Sequence, residues 1–364
     1  MINRLFAYLG KHLDSYLLAA LGALLLVGLI TLYSASGESF ARVGAQLANI
    51  AVAFAIMWIA ANIPPHYLLR LALPVYLVGL ILLIAVALFG EVVNGARRWL
   101  HLGVTRIQPS ELMKIAVPLA LAWYFDRYEA ILKLRDYAIA AIMVLVPVVL
   151  VAKQPDLGTA LLIAAAGLFA IFLAGLSWRI LTGLTVTALA SLPLLWSMLH
   201  DYQRQRVLTL LDPNQDPLGA GYHTIQAAIA LGSGGFFGKG WLNGTQAHLD
   251  FLPERSTDFI FAVFSEEFGL FGNVILVTLF LFVIGRGMFI TYNASTLFTR
   301  LIAGTITLTF FTYVAVNMGM VCGILPVVGV PLPLVSYGGT SLVSVLFGMG
   351  ILMSIHTHKR LVKT

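Results

Sequence analysis

Charged residues are scarce in this chain of 364 residues, because Asp, Glu, Lys and Arg together make up only 10% of it. Hydrophobic residues account for 60%, whereas a soluble globular domain contains roughly 45–50%. A chain so poor in charge does not have the polar surface of a water-soluble domain of this length. The composition therefore indicates a protein that crosses a membrane several times.

Cysteine is nearly absent as well. The single Cys322 excludes a disulfide framework within the chain, and its apolar surroundings indicate packing, so the redox compartment stays open. The net charge of +6 does not indicate nucleic acid, because the Lys and Arg residues are scattered between apolar segments and form no basic stripe among aromatics. His356 and His358 have no Cys or carboxylate at ligand spacing, so no metal site is predicted.

Long apolar runs are what the chain has in abundance. A bilayer-spanning helix needs roughly 20 apolar residues, and about ten runs approach that length. They lie at 15–35, 43–62, 67–89, 110–126, 136–152, 158–176, 179–199, 258–285, 300–322 and 340–356. This spacing predicts an all-α polytopic membrane protein with about ten transmembrane helices in one domain over 1–364.

The even number of spans puts both termini on one side of the membrane. The cationic ends argue that this side is cytoplasmic, since Arg4 and Lys11 precede the first span and Lys359, Arg360 and Lys363 follow the last. Many of the 22 Lys and Arg residues nevertheless fall outside under this assignment. A polyanionic ligand on the outer face would explain these external cations.

The longest connector, at 200–257 between the seventh and eighth spans, is predicted to be a large structured outer loop. Its glycine-rich part, 232–244, does not fit a nucleotide-binding loop, because Lys239 is followed by glycine rather than Ser or Thr. A bent element at the membrane interface fits better, with Phe236, Phe237 and Trp241 as anchors. Two interpretations stay open for the loop cations, which either contact a diphosphate or reach lipid headgroups: Arg204, Arg206 and Lys239.

Asp258 lies where this loop gives way to a long apolar run. A carboxylate at a membrane boundary is costly unless it is paired, solvated or used in chemistry. Asp258 is therefore the leading candidate for a catalytic residue. Glu266 and Glu267 follow about two turns later on the same predicted helix; they rank behind Asp258 as candidates, and a structural role is open to either.

Three further polar residues stand at the starts of predicted spans. Glu111 and Lys114 form an i, i+3 pair on the fourth span, which is either a structural ion pair or a charged lining of a cavity. Asp156 follows a break at Lys153-Gln-Pro and is placed to cap the next helix, although a position in the same cavity is equally compatible with it.

Two segments resemble the signatures of one family, the SEDS (shape, elongation, division and sporulation) proteins. They are PERSTDFIFAVFSEEFG at 253–269 and GILPVVGVPLPLVSYGGTS at 323–341, and QPDLG at 154–158 agrees with them. Within the family, HDYQRQRV at 200–207, GAGY at 219–222 and SIHTHKR at 354–360 resemble the elongation member. The division member is the near alternative. Ser256 departs from the family pattern, which often has histidine there, so that side chain receives no role.

The resemblance implies a peptidoglycan glycosyltransferase in the bacterial cytoplasmic (inner) membrane, with its active site on the outer, periplasmic face. Its substrates would be lipid II and the growing glycan strand, and it would release undecaprenyl diphosphate. A class B penicillin-binding protein transpeptidase and other membrane proteins of the elongation complex would be its partners, and nucleic acid would not. Asp258 matches the acidic residue essential in the family, and four residues match polar positions of the central cavity: Arg98, Glu111, Lys114 and Asp156.

This implied chemistry agrees with the residues. Asp258 would act as general base on the acceptor 4-hydroxyl while cations stabilise the diphosphate leaving group. A divalent cation bridging the diphosphate and an acidic residue is left open, because no ligand set indicates one. Two other classes compete with the enzyme. A lipid II flippase or transporter would also need many spans and a charged cavity. A noncatalytic scaffold would not account for Asp258 or the outer cations.

Overall fold

The computed structural model of the chain describes residues 12–93, 96–101, 106–128, 132–191, 193, 196–197, 201–213, 221–248, 252 and 254–358. Helices dominate these residues. In chain order they are α1 (Ser15–Ala35), α2 (Phe40–Asn62), α3 (Pro65–Phe89), α4 (Pro109–Arg127), α5 (Leu134–Ala152), α6 (Leu157–Leu173), α7 (Trp178–Ala190), α8 (Asp201–Leu211), α9 (Tyr222–Ser233), α10 (Thr245–His248), α11 (Ile260–Tyr292), α12 (Leu297–Val321) and α13 (Gly339–Thr357).

Seven of the described helices are long and apolar enough to cross a membrane: α1, α2, α3, α5, α11, α12 and α13. They confirm the prediction of an all-α polytopic membrane protein. Helices α4 and α6 cover two further predicted spans, but α4 carries Glu111 and Lys114 and α6 has only 17 residues. Helix α7 begins the predicted span 179–199, part of which lies outside the described residues. The count of ten spans and the single domain therefore stay predictions.

The two sides of the membrane are not distinguished by these helices. The cations used to orient the termini, Arg4, Lys11, Lys359, Arg360 and Lys363, all lie outside the described residues. The cytoplasmic location of the termini stays a prediction. The two ends of the helix bundle are called here the Asp258 end and the Asp14 end.

Three short strands between α3 and α4 were not predicted. They are β1 (Glu91–Val93), β2 (Ala96–His101) and β3 (Arg106–Ile107), and they form an antiparallel sheet in the order β1-β2-β3. Leu100 pairs with Ile107, and Glu91 pairs with Trp99. Strands of two to six residues are too short to show a clear alternation of polar and apolar residues, so the sequence did not reveal them.

Helix α12 lies at the centre of the bundle, where it packs against α4, α6, α11 and α13. Small residues allow the closest helix contacts in the bundle. A Cβ added to Gly350 of α13 would lie 2.4 Å from the Met57 carbonyl oxygen of α2, so these two backbones touch. Such close approach is the usual basis of helix association in membranes, where lipid removes the hydrophobic driving force.

At the Asp14 end, a buried ion pair joins three helices. Asp14 caps α1 by accepting from the Leu17 backbone N–H at 2.8 Å, and Arg286 of α11 donates to its carboxylate. His356 Nε2 of α13 lies 3.3 Å from Asp14 Oδ2. Burial on its own raises the pKa of Asp14, but the hydrogen bonds from Arg286 and Leu17 hold this pKa below its ordinary value.

Helix α11 is broken at Gly269, whose φ of 64° and ψ of −163° are not helical. The glycine-rich segment 234–240 fills this break with backbone hydrogen bonds. Leu270 N–H donates to Gly235 O and Phe271 N–H to Phe236 O, each at 3.0 Å. In the reverse direction, Lys239 N–H donates to Glu266 O and Gly240 N–H to Glu267 O, each at 3.0 Å. These four hydrogen bonds satisfy backbone groups that the break leaves without partners in the helix.

The glycines of this segment permit close approach of its backbone to α11. A Cβ on Gly238 would lie 2.0 Å from Glu267 O, and a Cβ on Gly269 would lie 2.3 Å from Gly238 N. Phe236, Phe237 and Trp241 are exposed, as expected of interfacial anchors. The described part of 200–257 contains α8, α9 and α10, and the assignment of 200–257 as an outer loop stays a prediction.

We expect the Gly269→Ala substitution to lower the free energy of unfolding by about 1–3 kcal/mol, because alanine is strained at this φ and its Cβ meets the Gly238 backbone. The melting temperature of the purified protein in detergent measures this effect. Gly285→Ala is the matched control in the same helix, since a Cβ there meets nothing within 4 Å. Equal melting temperatures for the two variants would contradict the tight pairing at Gly269.

Candidate active site

Asp258 belongs to a tight turn that leads into α11. The backbone N–H groups of Thr257 and Phe259 both donate to Glu254 O, at 3.1 and 3.3 Å. Asp258 is half-buried, whereas Phe259 and Ile260 directly after it are buried. The carboxylate therefore lies at the boundary between the loop and the apolar helix, where the sequence predicted it.

The second signature segment holds this turn from the opposite side. Ser336 Oγ donates to Thr257 O at 2.6 Å, and Tyr337 N–H donates to Ser256 O at 2.9 Å. A Cβ placed on Gly329 would lie 3.5 Å from Asp258 Oδ2, so the Gly329 backbone lies beside the carboxylate. The two segments that resemble family signatures are thus in direct contact around Asp258.

Asn317 of α12 joins the same two segments from inside the bundle. Its side chain is fully buried, and its amide group donates to Asp258 O at 2.9 Å and to Val330 O at 2.8 Å. The backbone of Asp258 is therefore fixed by a helix side chain as well as by its own turn.

Glu111 and Lys114 form an ion pair in the first two turns of α4. Lys114 Nζ lies 2.6 Å from Glu111 Oε1, and both side chains are largely buried. Ser344 Oγ of α13 donates to Glu111 Oε2 at 2.9 Å. Lys114 Nζ also lies 5.1 Å from the centre of the Tyr313 ring of α12, within range of a cation–π contact. The predicted pair exists, and neighbouring helices contact both of its members.

A cavity of about 690 Å³ opens beside this pair, between α2, α4 and α13. Glu111 and Ser344 are among its polar lining residues. Most of its wall is apolar and includes Val52, Ile56, Ile115, Val343 and Phe347. A cavity with this lining suits a ligand that carries both a charged group and a hydrocarbon chain.

Asp156 caps α6, as predicted, by accepting from the Thr159 backbone N–H at 3.2 Å. Its other oxygen accepts from Gln108 Nε2 at 3.2 Å and lies 4.0 Å from Arg98 Nε. Arg98 also donates to Pro155 O, so the small sheet is attached to the start of α6 through this side chain. Asp156 and Arg98 therefore form one polar group at the Asp258 end.

The segment Val328–Val330 connects these groups. A Cβ on Gly158 of α6 would lie 2.5 Å from Val328 O, so this segment touches α6 on one side while Gly329 lies beside Asp258 on the other. Tyr313, which contacts Lys114, packs in a small cluster with Leu162 and Val330. Asp258, the Glu111–Lys114 pair and Asp156 thus lie around the same segment and helix α12.

Two of the three predicted loop cations, Lys239 and Arg204, have partners among the described residues. Lys239 Nζ lies 2.7 Å from Glu266 Oε1 and donates to Thr245 Oγ1, so it stabilises the loop against the break in α11. Arg204 donates to the backbone carbonyls of Trp196 and Ser197. The side chain of Arg206 lies outside the described residues. Diphosphate contacts by these three cations stay predictions.

Glu266 and Glu267 both make contacts that join α11 to other parts of the fold. Glu266 is fully buried and accepts hydrogen bonds from Lys239, from Ser233, from Thr245 and from the Gln246 backbone. Glu267 accepts from Ser34 of α1. Among the described residues, no group of three or more His, Cys, Asp or Glu side chains is arranged to hold a metal ion.

Sequence reasoning missed several residues of the site. Ser336 and Gly329 lie within the C-terminal signature run, but the run by itself did not indicate which of its residues meet Asp258. Asn317 was detectable as an amide inside a predicted span, where polar side chains are rare and usually functional. Tyr313 and Ser344 gave no comparable signal.

Comparison with known proteins gives consistent results. Residues 14–361 match the family described as "Cell cycle protein", which is named for FtsW, RodA and SpoVE. Peptidoglycan glycosyltransferase MrdB of Escherichia coli, its RodA, is 52% identical over 96% of this chain and 95% of its own length. A probable peptidoglycan glycosyltransferase FtsW of Geobacter metallireducens is 35% identical over 96% of each chain. The higher identity favours the elongation member over the division member.

A solved structure has the same fold. It is described as "Structural coordination of polymerization and crosslinking by a peptidoglycan synthase complex", and it superimposes with a TM-score of 0.84 at 32% identity, covering 95% of this chain and 99% of that one. The signature runs, the fold and these matches agree over nearly the whole length. The chain therefore belongs to the FtsW, RodA and SpoVE family of cell cycle proteins, the SEDS family that its two signature runs predicted.

Proposed function

We propose that this chain is the elongation-type peptidoglycan glycosyltransferase of its cell, and that it polymerises lipid II into glycan strands. The observation that carries the proposal is the position of Asp258. Its half-buried carboxylate lies at the boundary of the bundle. Asn317 donates to the backbone carbonyl of Asp258, and Ser336 donates to that of the neighbouring Thr257. The cavity lined by Glu111 and apolar side chains opens at the same end of the bundle. The activity named for the E. coli relative agrees with this chemistry.

Asp258 acts in this scheme as the general base. The acceptor 4-hydroxyl oxygen attacks the anomeric carbon of the donor sugar, and its proton passes to the Asp258 carboxylate. The bond between the anomeric carbon and the diphosphate oxygen breaks, and the electron pair leaves with undecaprenyl diphosphate. A single displacement of this kind inverts the anomeric centre.

The cations bind the diphosphate of the substrate, and the cavity binds its polyprenyl chain. Arg98 and Lys114 are the cations that this proposal assigns to the diphosphate leaving group, because their partners Asp156 and Tyr313 belong to elements that contact the segment 328–330 beside Asp258. Arg204, Arg206 and Lys239 would act from the loop. The apolar wall beside Glu111 suits the polyprenyl chain within the membrane.

In this proposal the protein lies in the bacterial cytoplasmic membrane with its Asp258 end on the outer face, because lipid II is polymerised there. A class B penicillin-binding protein supplies the crosslinking. The structural similarity to a complex described as coordinating polymerization and crosslinking supports such a partner. Other membrane proteins of the elongation complex would join through surfaces outside the cavity.

The decisive experiment supplies labelled lipid II to the purified protein in detergent, with and without a class B partner whose transpeptidase site is inactivated. We expect glycan polymer to form and to be resolved by gel electrophoresis. Detergent removes any transbilayer gradient, so a flippase would leave lipid II unchanged. Absence of polymer in the presence of the partner would overturn the proposed function.

A further inference from the structure

Two hydrogen bonds from Asn317 connect α12 to the turn that carries Asp258 and to the segment that carries Val330. Both hydrogens of the Asn317 amide are used, one by Asp258 O at 2.9 Å and one by Val330 O at 2.8 Å. Asn317 is 0% exposed, and it lies on the central helix of the bundle. A fully buried amide that bridges two separate chain segments holds them at a fixed separation.

We propose that Asn317 is a positioning residue for glycan polymerisation: its amide locks the backbone of Asp258 to Val330, and thereby aims the Asp258 carboxylate at the acceptor hydroxyl. The inference rests on the proposed function. Asn317 does not touch substrate in this scheme and acts entirely through Asp258.

The contacts of Asp258 explain why such positioning is needed. Gly329 lies beside Asp258 Oδ2, and it is the residue just before the second carbonyl that Asn317 holds. The one amide therefore fixes both the peptide of the base and the backbone that borders its carboxylate. A side chain without these donors would remove one hydrogen bond from each of the two carbonyls and let both segments shift.

Helix α12 also relates Asp258 to the charged pair of α4. Tyr313 lies one turn before Asn317 on the same helix, and its ring is 5.1 Å from Lys114 Nζ. Asn317 contacts Asp258 and Tyr313 contacts Lys114, so both groups are held by the same helix. In the proposed reaction, Asp258 serves the acceptor hydroxyl while Lys114 serves the leaving group, and their separation has to be constant.

The test compares three purified variants with the unmodified protein in the detergent assay, each with the class B partner. Asn317→Leu has a similar volume and no donors, and Asn317→Asp keeps the shape while replacing the donor group by oxygen. Thr305→Val is the matched control, because Thr305 is fully buried on the same helix about 18 Å further along its axis. Rates are expressed per folded molecule, and melting temperatures are recorded in parallel.

We expect both Asn317 variants to lower kcat by about 10²-fold, the loss that a displacement of about 1 Å produces, with KM nearly unchanged. Their pH–rate profiles shift on the limb that reports the base, and Thr305→Val matches the unmodified protein. A purely structural role would lower the melting temperature and leave kcat per folded molecule intact, and this result would overturn the proposal. A rise in KM at constant kcat would overturn it too, by making Asn317 a binding residue.

Failure of this proposal differs from failure of the proposed function. If the unmodified protein makes no polymer, the glycosyltransferase assignment fails, and the role of Asn317 fails with it. If the unmodified protein makes polymer and Asn317→Leu has an unchanged kcat, only the positioning role fails.

Discussion

Replacing Asp258 by asparagine is expected to slow lipid II polymerisation by about 10²- to 10⁴-fold, which is the usual contribution of a general base. Asparagine has nearly the same shape but does not accept the proton of the acceptor hydroxyl. The contact with Asn317 uses the backbone carbonyl of residue 258, so the substitution leaves the turn attached to α12. The initial rate of polymer formation by purified protein with its partner measures the loss.

A second carboxylate at the same end of the bundle provides the control. Glu38, in the connection between α1 and α2, is exposed, and Glu38→Gln removes one negative charge from this end. We expect it to retain full activity and the Asp258→Asn variant to retain its melting temperature. Asp258→Ala is expected to be as inactive as Asp258→Asn. Polymerisation at the normal rate by either Asp258 variant would remove this residue from the mechanism.

Local spacing explains which parts of the site were predictable from the sequence. Glu111 and Lys114 are three residues apart, so a helical turn by itself brings them together, and they meet at 2.6 Å. Asp156 precedes an apolar run after a break, and it caps α6 as such a residue should. Asp258 lies at the boundary between polar and apolar sequence, and that boundary persists in the fold.

Contacts between distant segments were not predictable in the same way. Asn317 reaches a carbonyl 59 residues away, and Ser336 reaches one 79 residues away. Both acceptors are backbone carbonyls, so the sequence contains no complementary pair of side chains that would indicate the contact. The break at Gly269 was hidden for a similar reason. Its stability depends on the glycine-rich segment near Gly238, and hydropathy reports the whole of α11 as one apolar run.

The glycine-rich segment also shows how one pattern has two physical explanations. Free backbone N–H groups of a glycine-rich segment are able to cradle phosphate, but here the N–H groups of Lys239 and Gly240 donate to carbonyls of the broken helix, and the N–H group of Gly238 donates to Gly234 O. Lys239, which the phosphate interpretation would use, reaches Glu266 inside the same junction. Lys239 therefore stabilises the contact between the loop and α11, the helix that follows Asp258.

Replacing Lys114 by methionine is expected to lower the free energy of unfolding by about 3–5 kcal/mol, because it leaves Glu111 as a buried charge without its partner. Ser344 Oγ would still donate to that carboxylate, but one neutral hydroxyl does not replace the cation. Polymerisation is expected to fall as well. Thermal unfolding in detergent measures the first effect, and the polymer assay, normalised to folded protein, measures the second.

The Asp14–Arg286 pair at the other end of the bundle is the matched control for the loss of a buried ion pair. Arg286→Met breaks a comparable ion pair that joins α1 and α11, so it should reduce stability. It lies far from Asp258 along α11, and the rate per folded molecule should not change. A fall in that rate would mean that any loss of stability slows the enzyme, and the Lys114 result would then carry no information about the cavity.

The double variant Glu111→Gln/Lys114→Met separates the two explanations of the α4 pair. Removing both charges together leaves no unpaired ion, so most of the lost stability should return relative to Lys114→Met. If the pair were only structural, polymerisation would return with it. We expect a stable protein that stays inactive, because Lys114 contributes the positive charge that the departing diphosphate requires, and a neutral pair does not replace it. Recovery of the normal rate would instead assign the pair to folding alone.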